Sequence, residues 1–254
     1  MKRFSAKAGL KTRVYVAAFA VLLHTTGVFA DEIKVLSSVG IKAVIDELAP
    51  QFEKATKHKV TTVFGLAGAH KTSIDGGAPF DVAILTPPLL DDLIAKGLVA
   101  AKATIARTGL GLMIKSGAHK PDVSSVEAFK KTLLAAKSIT FASAGASGVA
   151  FLATAKQLGI ADAIKTKPAA SGEEVNHNVL TGASDLAVLP VSEILPVKGA
   201  ELGGVFPADV QTFVIMAAGV NSKAKGTAAK EFVAFLMSST NNAVIKVKGM
   251  ERIQ

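Results

Sequence analysis

Arg107, His70, Lys71 and Glu193 are the side chains whose type and placing suit them to hold or transform a charged small molecule. Arg107 precedes Thr108-Gly109 at the start of a strand, where a guanidinium can clamp a carboxylate bidentately or simply sit on the surface. His70 and Lys71 fall just inside a short helix and could bring charge to a ligand, or form an ordinary solvated face. Glu193 stands where a late strand gives way to Ile194 and Pro196. It suits a general base or a polar ligand contact, and equally an acid favoured by a helix dipole. Around these lie four loops rich in Ser and Gly: Ser37-Ser38-Val39-Gly40, Gly65-Leu66-Ala67-Gly68-Ala69, Ser143-Ala144-Gly145-Ala146-Ser147-Gly148 and Ala170-Ser171-Gly172. Such residues let backbone approach closely, and free N–H groups at a helix start bind anions. The same residues also serve as plain helix caps. Asp81, before an apolar strand, reads as a structural tie to a neighbouring loop.

Other chemistries lack their residues. His24, His58, His70, His119 and His177 show no metal-ligand spacing, and there is no Cys, so no metal site is expected. No Gly-x-Ser-x-Gly elbow, phosphate-loop lysine or dinucleotide fingerprint appears, so no cofactor is expected either. Beyond residue 30 the chain has no Trp and no Tyr, which counts against a stacked sugar ligand.

The first thirty residues have the three parts of a secretory signal. Lys2, Arg3, Lys7, Lys11 and Arg13 precede an apolar run over 14–23, and Val28-Phe29-Ala30 offers a cleavage site after Ala30. His24-Thr25-Thr26 interrupts the run well short of the about 20 apolar residues a membrane span requires. A periplasmic, exported product is expected. Without those five basic residues, 24 Lys/Arg face 20 Asp/Glu, so the net charge falls from +9 to +4. The basicity belongs largely to the leader, and no nucleic-acid partner is implied.

The elements that must hold these groups alternate. Strands are expected over 33–36, 60–64 and 80–85, with helices over 41–57, 69–74 and 89–96 between and after them. A second series follows. Strands over 110–115, 139–142, 165–167, 185–189 and 210–217 are interleaved with helices over 124–134, 147–158 and 173–180. Two helices, over 224–237 and 240–246, close the chain. This is the α/β pattern of a mainly parallel sheet, whose ligands sit beyond the carboxyl ends of the strands.

Several of these segments resemble periplasmic solute-binding proteins of the molybdate-binding type, within the two-lobed type II class. The resemblance runs through nearly all of 31–254. It is carried by the opening strand and helix (33–53), Gly77-Ala78-Pro79-Phe80-Asp81-Val82-Ala83-Ile84, Ala146-Ser147-Gly148, and Val179-Leu180-Thr181-Gly182-Ala183-Ser184-Asp185. It implies two Rossmann-like lobes with a hinge, lobe I from 31–112 plus 214–254 and lobe II from 113–213. It further implies a monomer that captures a small anion in the cleft, an oxyanion such as molybdate or an organic carboxylate, and presents it to an inner-membrane ABC permease.

The departures bear on the ligand. The family's first-loop Ser falls at Gly40, with Ser37 and Ser38 beside it. The second loop has no hydroxyl before Thr72, and Pro190 stands where the family has a Tyr. Backbone donors remain at Ala146, Ser147 and Val175. A buried oxyanion short of donors is costly, so molybdate itself is expected to fit poorly. Three further segments, at 36–41, 117–124 and 191–196, are similar to a sub-branch that includes a periplasmic aconitate isomerase. The alternative is therefore an isomerase acting on a tricarboxylate, with Glu193 or His70 as base and Arg107 and Lys71 holding carboxylates. The expected ligand contacts are Ser37, Ser38, Gly68, His70, Lys71, Arg107, Ala146, Ser147, Val175 and Ser192.

Overall fold

Short β-branched runs and amphipathic segments alternate as strands and helices in the computed structural model, which describes residues 31–253. The leader read over residues 1–30 lies outside the described residues. β1 (Glu32–Ser38) passes through a 3-10 turn (Val39–Ile41) into α1 (Lys42–Thr56). β2 (Lys59–Gly65), α2 (Ala67–Asp75), β3 (Val82–Leu85) and α3 (Pro87–Ala95) follow, then the long strand β4 (Val99–Lys115). The middle of the chain supplies α4 (Val126–Ala135), β5 (Ile139–Ala142), α5 (Ala146–Gln157), β6 (Thr166–Ala169) and α6 (Gly172–Leu180). After these come β7 (Leu186–Pro190), the single turn α7 (Val191–Ile194) and β8 (Ala200–Val205). β9 (Phe213–Asn221), α8 (Ala228–Met237) and α9 (Asn242–Val247) complete it.

β4 joins the two halves. Val99–Gly109 pairs antiparallel with β9, whereas Leu110–Lys115 pairs with β7 and β8. Strand order is β2-β1-β3-β9-β4-β7-β5-β6, with β8 on β4. In lobe I, β1 runs parallel to β2 and β3; in lobe II, β5 runs parallel to β6 and β7. The outward crossing thus falls between Gly109 and Leu110, and the return lies between β8 and β9. We propose that the hinge is centred on these two crossings, a few residues before the 112/113 division expected from sequence.

Packing follows the apolar pattern. Val44, Ile45, Leu48 and Phe52 form the buried stripe of α1, and Phe52 meets Phe232 of α8 with ring centroids 5.1 Å apart. Phe141 and Phe151 hold α5 on β5 at 5.3 Å. A buried apolar series continues along β4 through Ile105, Ala106, Leu110, Leu112 and Ile114, so one core crosses the hinge.

Three features depart from the sequence reading. The strand expected over 110–115 begins at Val99, because alanine-rich Val99–Gly109 is drawn into the sheet by β9. β8 contains Gly203 and Gly204, which weaken its own strand signal, yet it pairs along β4. The helix expected from 124 begins instead at Val126, because Ser125 caps it: its Oγ accepts from Ala128 N–H at 3.1 Å. Asp81 does tie down its surroundings: its Oδ2 accepts from Lys34 N–H at 2.8 Å.

Candidate functional site

The carboxyl ends of β1 and β2 in lobe I face the starts of α5 and α6 in lobe II. Between them lie two adjoining spaces. An inner chamber of about 30 Å³ is lined by Ser38, Leu66, Ala146, Ser147, Pro190 and Glu193, with Gly172 at its edge. An outer cleft of about 460 Å³ is lined by Lys42, Asp46, Phe64, Asn176, Ser192 and Glu193 among others. The outer space falls in the size range of small-molecule sites, whereas the inner one has room for little more than a water.

Local sequence explains why helices start here. Gly145 precedes α5 and Gly148 lies in its first turn, where an added Cβ would collide with the carbonyl of Ala142. Close approach of α5 to β5 therefore needs glycine, and it leaves the first N–H groups of α5 facing the chamber without intrahelical partners. Ser171 caps α6 by accepting from Glu174 N–H at 3.2 Å, and the N–H groups of Gly172 and Glu173 are left to the cleft. Both helix starts bring partial positive charge to one place.

Glu193 is the acidic group shared by both spaces. It is partly exposed and makes no side-chain hydrogen bond among the described residues. Burial, with a smaller contribution from nearby Glu173, pushes its carboxyl up to about 7. Ser192 beside it is buried and bridges the lobes. Its Oγ donates to Gly40 O at 2.7 Å, and its N–H donates to Thr108 Oγ1 at 3.3 Å. Thr108 Oγ1 in turn donates to Gly249 O at 2.9 Å.

The structure gathers Ser38, Ala146, Ser147, Ser192 and Glu193 around these spaces and directs the other candidates elsewhere. Ser37 is fully buried, its Oγ donating to Ser38 O at 3.2 Å. His70 packs beneath Gly65 with Nε2 3.1 Å from Ser37 O, and burial lowers its pKa despite that bond. It ties α2 to β1. Gly68 points into open solvent; Leu66 and Ala67 take its place against the chamber. Lys71 is held by Asp75 at 2.6 Å and Asp92 at 2.8 Å, and their hydrogen bonds raise its pKa. Val175 is buried, and its N–H is already given to Ser171 O at 3.1 Å.

Arg107 lies on the far side of the hinge. Its Nε meets Glu251 at 2.7 Å and its guanidinium stacks on Phe213 at 4.1 Å. It lines a larger groove of about 660 Å³ with Gln211, Lys246 and Arg252. That groove is bigger than the cleft, but among the described residues no helix of eight residues or more begins there. The cleft is the better candidate on physical grounds. Sequence reasoning overlooked Asn176, whose buried Oδ1 has no hydrogen-bond partner, and Lys42, which pairs with Asp46 at 2.7 Å over the ring of Phe64. Position was the available signal: Asn176 follows Gly172 by four residues, on the same helix face.

Two α/β lobes joined at a β4/β9 hinge, with a ligand-sized cleft at the α6 start and a small chamber behind it at the α5 start, define a type II periplasmic binding-protein fold. The periplasmic molybdate-binding protein of Azotobacter vinelandii superposes with a TM-score of 0.74 at 21% identity, over 87% of this chain and 100% of that one. The sulfate-binding protein SubI of Mycobacterium tuberculosis gives 0.71 at 14% identity, over 88% of each chain. Residues 33–251 match the bacterial extracellular solute-binding protein family, and the chain belongs to it. By sequence it is 29% identical to an aconitate isomerase from Pseudomonas sp over 253 residues, 94% of this chain and 96% of that protein. It is 30% identical to the molybdate-binding protein ModA of Azotobacter vinelandii over 247 residues, with the same shares covered.

Proposed function

We propose that this chain is exported to the periplasm, captures a small organic anion between its lobes, and presents it to an ABC-type permease. The observation that carries the reading is the convergence of the α5 and α6 starts on a space closed by residues of both lobes. Helix-start N–H groups favour an anion there. The relatives named for molybdate and sulfate support an anionic ligand in general. The 460 Å³ of the cleft beside the α6 start favours a carboxylate of several carbons over a compact tetrahedral oxyanion. Titration calorimetry of residues 31–254 against molybdate, sulfate and a panel of di- and tricarboxylates tests this. Saturable binding of a carboxylate is the expected result; no binding by any anion would rule it out.

A second reading has its own support. Glu193, with a proton affinity near neutrality, suits a base that moves an allylic proton, and one relative is named an aconitate isomerase. Carboxylate binding would then fall to Lys42 and the two helix starts, since no arginine among the described residues lines either space. Incubation with trans-aconitate, followed by NMR for the cis isomer, separates the readings. Turnover lost in Glu193→Gln would establish the enzyme; tight binding without turnover would establish the carrier.

A further inference from the structure

Glu193 forms the wall common to the inner chamber and the outer cleft. Its carboxyl lies between loops of both lobes. A Cβ on Gly40 would be 3.5 Å from Oε1, and one on Gly172 would be 3.9 Å from Oε2. The charged groups lining the two spaces are Lys42 and Asp46 from α1, Glu173 from α6, and Glu193 itself. β4, β8 and the Val39–Ile41 turn also pack on α7, yet bring no charged side chain to these spaces. Lys42 pairs with Asp46 at the exposed side of the outer cleft, and among the described residues no cation is paired with Glu193.

An anion seated at the α5 and α6 starts would be repelled by an ionised Glu193, which lines both spaces. The neutral acid removes that repulsion and becomes a hydrogen-bond donor to a ligand oxygen. Asn176 adds an independent demand. The residue lines the outer cleft and its buried Oδ1 has no hydrogen-bond partner among the described residues; a buried acceptor of this kind calls for a donor. A fully ionised tetrahedral oxyanion has no donor to give, whereas a hydroxy acid has one.

We infer that the cleft takes up one proton with its ligand, held on Glu193 and donated to a ligand oxygen, and that the ligand is a hydroxylated organic acid. This rests on the anion-binding reading above. The proton affinity that burial and Glu173 already confer on Glu193 acts in the same direction.

Calorimetry with two matched pairs, malate against succinate and citrate against tricarballylate, tests it. Measurements run from pH 6 to 9 in buffers of different ionisation enthalpy, with molybdate alongside. At pH 8 these ligands are ionised, so proton uptake reports on the protein. The expected result is uptake approaching one proton per ligand at pH 8, with affinity falling about tenfold per pH unit above pH ~7. The hydroxylated member of the bound pair should be the tighter, and Glu193→Gln should lose the uptake and flatten the profile. Binding by wild type without proton uptake overturns the inference while leaving anion binding intact. So does uptake that persists in Glu193→Gln, or molybdate bound as tightly as the best acid. Absence of binding by every anion across the pH range would instead overturn the anion reading itself.

Discussion

Glu193 and Arg107 show how far residue identity can be read before the fold is known. The sequence pattern puts both beside a strand end, although Arg107 falls inside the longer β4. One lies in the cleft and the other on the opposite face of the hinge, because its partner Glu251 comes from 144 residues away. Lys71 is similarly claimed by Asp75 and Asp92, and His70 by the carbonyl of Ser37. Strand and helix spacing indicate which residues stand near a strand's carboxyl end, but not which acid or carbonyl a long side chain will meet. Ser38, Ala146, Ser147 and Ser192 were more legible, since short side chains and backbone N–H groups stay where the loop puts them. Glu193 also makes stability depend on pH in a definite direction. Its proton affinity is raised by folding from 4.5 to about 7, so the folded state favours the neutral acid. That contribution is complete below the unfolded value and is lost as pH rises through about 7. Glu193→Gln should therefore gain about 3 kcal/mol relative to wild type between pH 4.5 and pH 8. Urea unfolding at the two pH values measures this, and an equal difference at both would refute it.

At the scale of elements, periodicity located most strands and helices, because their buried faces repeat cleanly. It failed where tertiary pairing overrode local preference. Alanine-rich Val99–Gly109 is a strand because β9 hydrogen-bonds to it, and β8 is a strand despite two glycines. The short α7 gave no periodic signal, having only four residues, yet it carries Ser192 and Glu193 into the cleft. The helix starts are the elements with most at stake. Gly148 packs so closely on Ala142 that Gly148→Ala must push α5 away from β5. A loss of about 2 kcal/mol or more is expected, in the range of overpacked core sites, with α5 displaced from the chamber. Thermal unfolding measures the cost, and a neutral outcome would show that α5 is not held by this contact.

Across the whole molecule, the two lobes meet through few but specific polar contacts. Ser192 reaches Gly40 of the opposite lobe, and Thr108 at the hinge holds both Ser192 and the carbonyl of Gly249. These bonds tie lobe closure to the segment that carries Glu193. Ser192→Ala leaves the buried carbonyl of Gly40 unpaired, at a cost of about 1–3 kcal/mol. If the bond belongs to the closed form, small-angle scattering should show a larger radius of gyration for Ser192→Ala than for wild type. Equal radii would show that it does not hold the lobes together. The central claim is that an organic anion binds between the lobes at the starts of α5 and α6. Amide ¹H–¹⁵N spectra of residues 31–254 titrated with citrate test it most directly. The account predicts saturable shifts concentrated at Ser38, Ala146, Ser147, Gly172 and Glu193; saturable shifts confined to the far groove around Arg107 and Phe213 would contradict it.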